Sequence, residues 1–387
     1  MGGMSLGITG TFGRASVCTC LTYLVLALTS PAARADKIRD AVNKVSTDQY
    51  RTYQTTIENM GLGFYGGPAY NQGYRSRYGW ANGGTLGNQE ARLCLTDQFT
   101  SMGLTVSTQG IFGNVVAEWP GTETPREIYI VCAHYDTTSG GKRPGGDDNA
   151  SGTAGVLEAA RVLTQYRFKS TLRFIAFNAE EGWPKGSQEY VDALPWDANI
   201  LGVVNLDMIL RPAWDSDPQE PVDLELESGN VPNCAAWIET FVCAAATYVP
   251  SLAIDPNSHY PYDWNWGDQG PFIWAGYATF TAIENTADEM WDGGSNLYYH
   301  TAQDASDALA NSVLSPSSVT YDYDFAANVV RATVATLATR AGLVSPCDPN
   351  AGEGQTPATD PEADPESAGG DSRSRGTAPA GSAPDGS

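Results

Sequence analysis

The 387-residue sequence predicts an α/β sandwich built around a mostly parallel β-sheet. Three observations lead there. Short apolar runs alternate with amphipathic helical stretches along most of the chain. Hydrophobic residues make up 42%, enough for a sizeable core. No internal repeat suggests a solenoid or a propeller. The charge narrows the function classes: 22 Lys+Arg against 45 Asp+Glu give −23. So acidic a chain lacks the basic surface that nucleic acid or an anionic membrane requires.

The first 35 residues read as a secretion signal. Arg14 is the only charge before the apolar stretch Leu21 to Leu28, and Ala33-Arg34-Ala35 supplies small residues at cleavage spacing. That stretch is far short of the roughly 20 residues a membrane anchor needs. Cleavage would remove Cys18 and Cys20, leaving Cys94, Cys132, Cys234, Cys243 and Cys347. Cys132 ends an apolar run and is expected to be a free thiol. Cys234 and Cys243 are expected to bridge in an oxidising compartment, secreted or periplasmic. Cys94 and Cys347 are left without an assigned pairing. Residues 345–387 carry eight acids, two arginines, no aromatic residue and no Leu, Ile, Val or Met. They predict a disordered tail. Residues 36–344 remain for one folded domain.

Within that body, Asp36 to Glu58 and Asn88 to Met102 read as helices, and Asn114 to Trp119 and Ile128 to Cys132 as strands. Val156, Ala160 and Leu163 share one helical face. A strand over Thr171 to Asn178, a helix near Lys185 to Leu194 and a strand over Ile200 to Leu206 follow. Next come a helix over Ala235 to Thr247 and a strand near Tyr277 to Ile283. Helices at Ala302 to Asn311 and Ser318 to Thr339 close the body. In such folds ligands collect beyond the carboxyl ends of the strands.

Those ends hold the chemistry. The second strand runs into His134-Tyr135-Asp136, where His134 presents a nitrogen to a metal and Asp136 accepts the other ring N–H, fixing the tautomer. A Gly-rich loop then gives Asp147-Asp148-Asn149-Ala150-Ser151-Gly152, a helix start in which either acid is a candidate ligand. The next strand ends in Glu180-Glu181: one carboxylate for a metal, the other for a general base. Asp207 ends the strand after that. His300, with Tyr299 before it and Asp304 close behind, supplies a late imidazole. Two of only three histidines fall in this set, and nitrogen with oxygen donors suits Zn²⁺.

In these residues the sequence resembles the co-catalytic zinc aminopeptidases of metallopeptidase family 28, especially the secreted bacterial leucyl type. The resemblance runs from Arg77-Tyr78-Gly79 through Asn114-Val115-Val116-Ala117 to His300-Thr301 and Asp304. It implies a three-layer sandwich with a central mixed sheet flanked by helices. It implies two Zn²⁺ per chain: His134 and Asp207 on one, Glu181 and His300 on the other, Asp148 bridging. Glu180 would be the base. Tyr299 resembles a tyrosine that donates to the oxyanion, and Asp207 with Glu180 would also receive the substrate's amino group. The implied partner is a peptide with a free amino terminus, cleaved by a hydroxide held between the metals, with the enzyme acting as a monomer. Many members carry Ser-Asp-His where this chain reads Gly267-Asp268-Gln269. His259 reads as a packed or solvent-exposed residue, not a ligand. Trp264, Trp266, Trp274 and Trp291 are candidates for an apolar side-chain pocket. A carboxypeptidase of the same metal chemistry, a single-zinc glutaminyl cyclase and a catalytically dead binding module are the alternatives.

Overall fold

The computed structural model describes residues 31–211, 224–229, 232–255, 267–284, 298–309 and 321–344. Most of the leader, the acidic tail, His259, Trp264, Trp266, Trp291 and Cys347 lie outside the described residues. All described residues fall within the unit Met1–Ala351.

The first helical stretch is two helices, α1 (Pro31–Asn43) and α2 (Thr47–Glu58). Ser46 divides them: its backbone is extended and its side chain accepts from the Gln49 amide at 3.2 Å, an N-cap inside an otherwise continuous helical pattern. A short hairpin follows, β1 (Gly79–Trp80) with β2 (Gly83–Gly84), then α3 (Leu86–Ser101) capped by Thr85. The strand β3 (Thr105–Gln109), which the sequence does not announce, pairs with β4 (Asn114–Trp119). Its polar, largely exposed residues suit a sheet edge, where no apolar alternation is required.

Next in order come β5 (Thr124–His134), α4 (Ala150–Leu163), β6 (Ser170–Phe177), α5 (Lys185–Asp192) and β7 (Asn199–Leu206). They are followed by β8 (Glu225–Glu227), α6 (Pro232–Tyr248), α7 (Gln269–Trp274), β9 (Thr279–Ile283), α8 (Ser306–Leu309) and α9 (Tyr323–Arg340). The helix expected from Ala302 starts only at Ser306. Thr301 donates through both its amide (2.9 Å) and its hydroxyl (2.7 Å) to the Tyr298 carbonyl, which closes a turn first. The last helix starts at Tyr323 because the Asp322 side chain caps the amides of Asp324 and Phe325.

The sheet order is β3-β4-β6-β5-β7-β9-β8. Strands β6, β5, β7 and β9 are parallel neighbours; β4 and β8 run against them. The sheet is therefore mixed and mostly parallel, and its carboxyl ends share one edge. One face carries α1, α2, α3, α4, α6 and α9 over a core that includes Tyr50, Phe99, Leu157, Phe241 and Val330. The other carries α5 and α7 over Ile130, Ile175, Phe177, Tyr190 and Phe272. Each large apolar side chain buried this way contributes about 1.5–3 kcal/mol. Every residue of α4 except Arg161 is buried, because α2 and α9 cover the side turned away from the sheet. No helix among the described residues is long and apolar enough to cross a membrane.

The expected Cys234–Cys243 bridge does not form. Both thiols are free and sit on α6 nine residues apart. At 1.5 Å per residue that separation is about 13 Å, nearly twice what a disulfide spans. Cys234 is buried, its sulfur accepting from the Thr279 amide, and Cys243 is exposed. Cys132 is a buried free thiol, as expected.

Candidate metal centre

Each parallel strand delivers its final residues to the same edge. β5 ends at His134, whose carbonyl accepts from Thr153 Oγ1 of α4 at 2.7 Å. Asp148 lies just ahead of α4. There Asn149 caps the helix, accepting from the Gly152 amide at 2.8 Å, and donates to the Leu206 carbonyl at 3.0 Å. That bond ties the helix start to β7. The approach is so close that a Cβ on Gly152 would meet the Leu206 oxygen at 2.1 Å. The small residues here therefore serve helix–strand contact. Glu180 and Glu181 follow β6, Asp207 follows β7, and His300 comes from the turn before α8.

The donor atoms converge. His134 Nε2 lies 3.3 Å from Asp148 Oδ1 and 3.4 Å from Asp207 Oδ1. His300 Nε2 lies 3.1 Å from Asp148 Oδ2 and 2.8 Å from Glu181 Oε2. Two triads result, His134–Asp148–Asp207 and Asp148–Glu181–His300, each with its donor atoms within 4.8 Å of one another. Asp148 belongs to both, offering one oxygen to each imidazole. Asp147, the rival acid, faces away: its carboxylate accepts from the Leu210 amide at 3.1 Å.

Asp136 stands behind this cluster. Its Oδ1 is 3.5 Å from His134 Nδ1, and its carboxylate accepts from the amides of Glu180 (3.1 Å) and Glu181 (3.3 Å). One acid thus orients an imidazole and pins the segment that carries both glutamates. Glu180 Oε2 reaches within 4.0 Å of His134 Nε2. Tyr299 stacks on His300, with centroids 3.7 Å apart.

The electrostatics call for cations. Burial pushes Glu180 well above the ordinary carboxyl range, and burial with the Asp148 charge pushes Glu181 up to about 7. Burial also works against Asp148, but hydrogen bonds from His134 and His300 outweigh it and hold that acid below its usual range. Desolvation disfavours a charged His300, yet Asp148 and Glu181 raise it to about 10. Among the carboxylate oxygens, Asp207 Oδ1 and Glu181 Oε1 are buried without a hydrogen-bond partner. Imidazole and carboxylate donors that converge in this way fit Zn²⁺.

Two residues whose structural part the sequence did not reveal hold the loops. Arg77 is fully buried and spends its guanidinium on backbone carbonyls: Tyr135 at 2.8 Å, Ile57 at 3.1 Å, Gly145 at 2.9 Å, and Pro144. Asp304 accepts from the amides of Asp147 (3.0 Å) and Asp148 (3.1 Å) and from Tyr321 Oη at 2.7 Å. A cavity of about 620 Å³ opens over the centre, lined in part by Gln269, Met208, Thr281, Ile283, Trp183 and Glu227. Gln269 thus meets the cavity where many family members have histidine. Of the four tryptophans expected there, only Trp274 is described; it is exposed and outside the lining, whereas Trp183 is within it. Glu227, which no sequence pattern marked, is buried, and burial with the charge of Asp207 pushes it up to about 8.

The model of Peptidase family M28 matches residues 114–318, more than half of the chain. The chain belongs to that family. It is 32% identical over 185 residues to aminopeptidase YwaD of Bacillus subtilis, a match covering 46% of this chain and 36% of that protein. The chain spans about a third or less of the length of the curated relatives it matches. Its fold is that of the Legionella pneumophila LapA aminopeptidase, with a TM-score of 0.59 at 17% identity over 80% of this chain and 76% of that one. The Porphyromonas gingivalis glutaminyl cyclase shares the fold too, with a TM-score of 0.55 at 16% identity over 76% of this chain and 98% of the other.

The clamp on the Asp148 loop is testable without metal. Asp304→Ala leaves the Asp147 and Asp148 amides and the Tyr321 hydroxyl without their acceptor, at about 1–3 kcal/mol for each buried donor left unpaired. Tyr321→Phe removes a single hydrogen bond and should cost about 1 kcal/mol. Denaturant unfolding of metal-depleted protein measures both, and an unchanged midpoint for Asp304→Ala would show that other contacts hold the loop.

Proposed function

We propose that the chain is an exported, monomeric di-zinc aminopeptidase. The observation that carries this reading is the pair of triads sharing Asp148. His134 and Asp207 would hold one ion and Glu181 and His300 the other, with Asp148 common to both. When bound, zinc lowers the pKa of water and polarises a carbonyl oxygen. The rest falls to the chain's own groups. Asp136 fixes the orientation of His134 and, through the amides of Glu180 and Glu181, the position of both glutamates. Glu180 takes the proton of the attacking water and passes it to the leaving amine. Its burial, which raises its proton affinity, favours that traffic. Tyr299 lines the cavity, and burial keeps its phenol protonated as a donor to the developing oxyanion. Glu180 and Asp207 accept the substrate's α-ammonium.

The glutaminyl cyclase reading rests on shared fold alone, and a single metal would need only one of the two triads. A carboxypeptidase must hold a free carboxylate, which proteins do best with Arg or Lys. Between Arg211 and Arg331 the sequence has neither, yet it holds 18 acids there. Among the described lining residues of the cavity, the sole nitrogen bases are His134 and His300. An α-ammonium suits that surface. Export is supported by the leader-like composition of residues 1–35. Amino-terminal sequencing of exported protein should begin near Asp36, and a terminus that retains Leu21 to Leu28 contradicts cleavage.

Glu180→Gln should keep both zincs and lose about 10²-fold or more in kcat, the size of a general acid–base contribution. Glu181→Gln should instead lower zinc content, since it removes a ligand charge. Metal analysis beside kcat separates the two, and zinc loss mainly in Glu180→Gln would exchange their roles. For the choice of terminus, one peptide blocked at its amino end and its twin blocked at its carboxyl end should behave differently. Only the carboxyl-blocked twin should be cut; cleavage of the amino-blocked peptide alone would overturn the aminopeptidase reading and leave the metal chemistry standing.

A further inference from the structure

Among the described lining residues of the cavity, Glu227 is the one acid outside the candidate metal centre. It ends β8, in register with Thr281 of β9, which is in turn in register with Asn205 of β7. Residues in register across a sheet share a face, so Glu227 and Thr281 stand on the same side of the wall beyond Asp207. Only 4% of Glu227 is exposed. No hydrogen bond or ion pair reaches its carboxylate from the described residues. A buried carboxylate is costly unless a cation or a donor meets it. The only basic groups in the described lining, His134 and His300, are already committed to Asp148, Asp207 and Glu181. The described lining offers Glu227 no cation of its own, so a positive charge entering the cavity would meet an acceptor there.

We propose that Glu227 selects peptides whose amino-terminal residue is lysine or arginine, receiving the side-chain cation at the far wall of the cavity. This rests on the aminopeptidase reading above. The α-ammonium has Glu180 and Asp207 at the centre itself, so a second cationic partner is needed only by a basic side chain. The rest of the lining suits such a chain: Met208 and Ile283 offer apolar contact for a methylene stem, and the carboxylate meets its charged end. A leucyl or norleucyl side chain would instead cover Glu227 with hydrocarbon and leave its carboxyl without a partner.

The test uses the zinc-loaded chain and four amino-terminal nitroanilides, of lysine, arginine, leucine and norleucine. Norleucine matches the lysine stem without its charge. Wild-type kcat/KM should favour lysine and arginine over norleucine by about tenfold or more, the scale of a lost polar partner in a buried site. Glu227→Leu should invert that order, and Glu227→Gln, which keeps the shape, should narrow it. Both variants should also melt at higher temperature than wild type, because each removes an unpaired buried acid. A wild type that melts as high as either variant would show the carboxylate already paired and overturn the inference. So would a preference for norleucine or leucine in the wild type, or a ratio that Glu227→Leu leaves unchanged. Failure to release any of the four residues would overturn the aminopeptidase reading itself, and this selection with it.

Discussion

Mutual repulsion among buried carboxylates is the constraint on which this structure is built. Asp136, Asp148, Glu180, Glu181 and Asp207 crowd one edge of the sheet around two imidazoles. Two such charges 4 Å apart cost about 4 kcal/mol at the effective dielectric near a protein surface. The chain offsets part of this with hydrogen-bond donors, and at two acids these are backbone amides. Asp136 takes the amides of Glu180 and Glu181, and Asp304 those of Asp147 and Asp148. In each case the acid that is stabilised also fixes the loop carrying another acid. Charge stabilisation and loop placement are the same set of bonds.

Parallel strands make such crowding possible. β5, β6 and β7 lie side by side with their carboxyl ends level, so His134, Glu180, Glu181 and Asp207 arrive at one place from distant points in the chain. The fourth contribution, Asp148, comes from a helix start drawn against β7 by Asn149 and Gly152. His300 has no strand behind it. It is delivered by a turn that closes on Tyr298, and its positive φ of 56° belongs to that turn.

What the sequence discloses follows the range of the forces involved. The buried strands and the helices beside them announce themselves through local apolar periodicity, and acids at strand ends are local features too. Where the decisive contact joins distant residues, the sequence is silent. Arg77 stands in the sequence only as part of Arg77-Tyr78-Gly79, with nothing local to show its bracing role, for its four carbonyl partners lie 20 to 68 positions away. Asp304 reads as a companion of His300 but serves loop residues more than 150 positions earlier. Cys234 and Cys243 mislead for the opposite reason: nearness in sequence implies nearness in space only where the chain turns back, and here a helix keeps it straight. Glu227 has no signature because an acid in a three-residue strand looks like any solvated edge until a cavity wall closes over it.

Arginine at position 77 completes the logic. A buried lysine would place three donors on one point, whereas the planar guanidinium reaches carbonyls of Ile57 in α2, of Tyr135 just past β5 and of Pro144 and Gly145 ahead of Asp148 at once. Its donors are spent on neutral carbonyls, so it braces the site without pairing with the acids of the centre. Arg75 is likewise engaged elsewhere, with Glu58 and Asp307. The sequence then offers no further Lys or Arg from Arg211 to Arg331, the stretch that supplies Glu227, Gln269, Tyr299 and His300 to the cavity. The site is thus held rigid by donors that leave its negative charge in place. A surface organised this way favours positive charge.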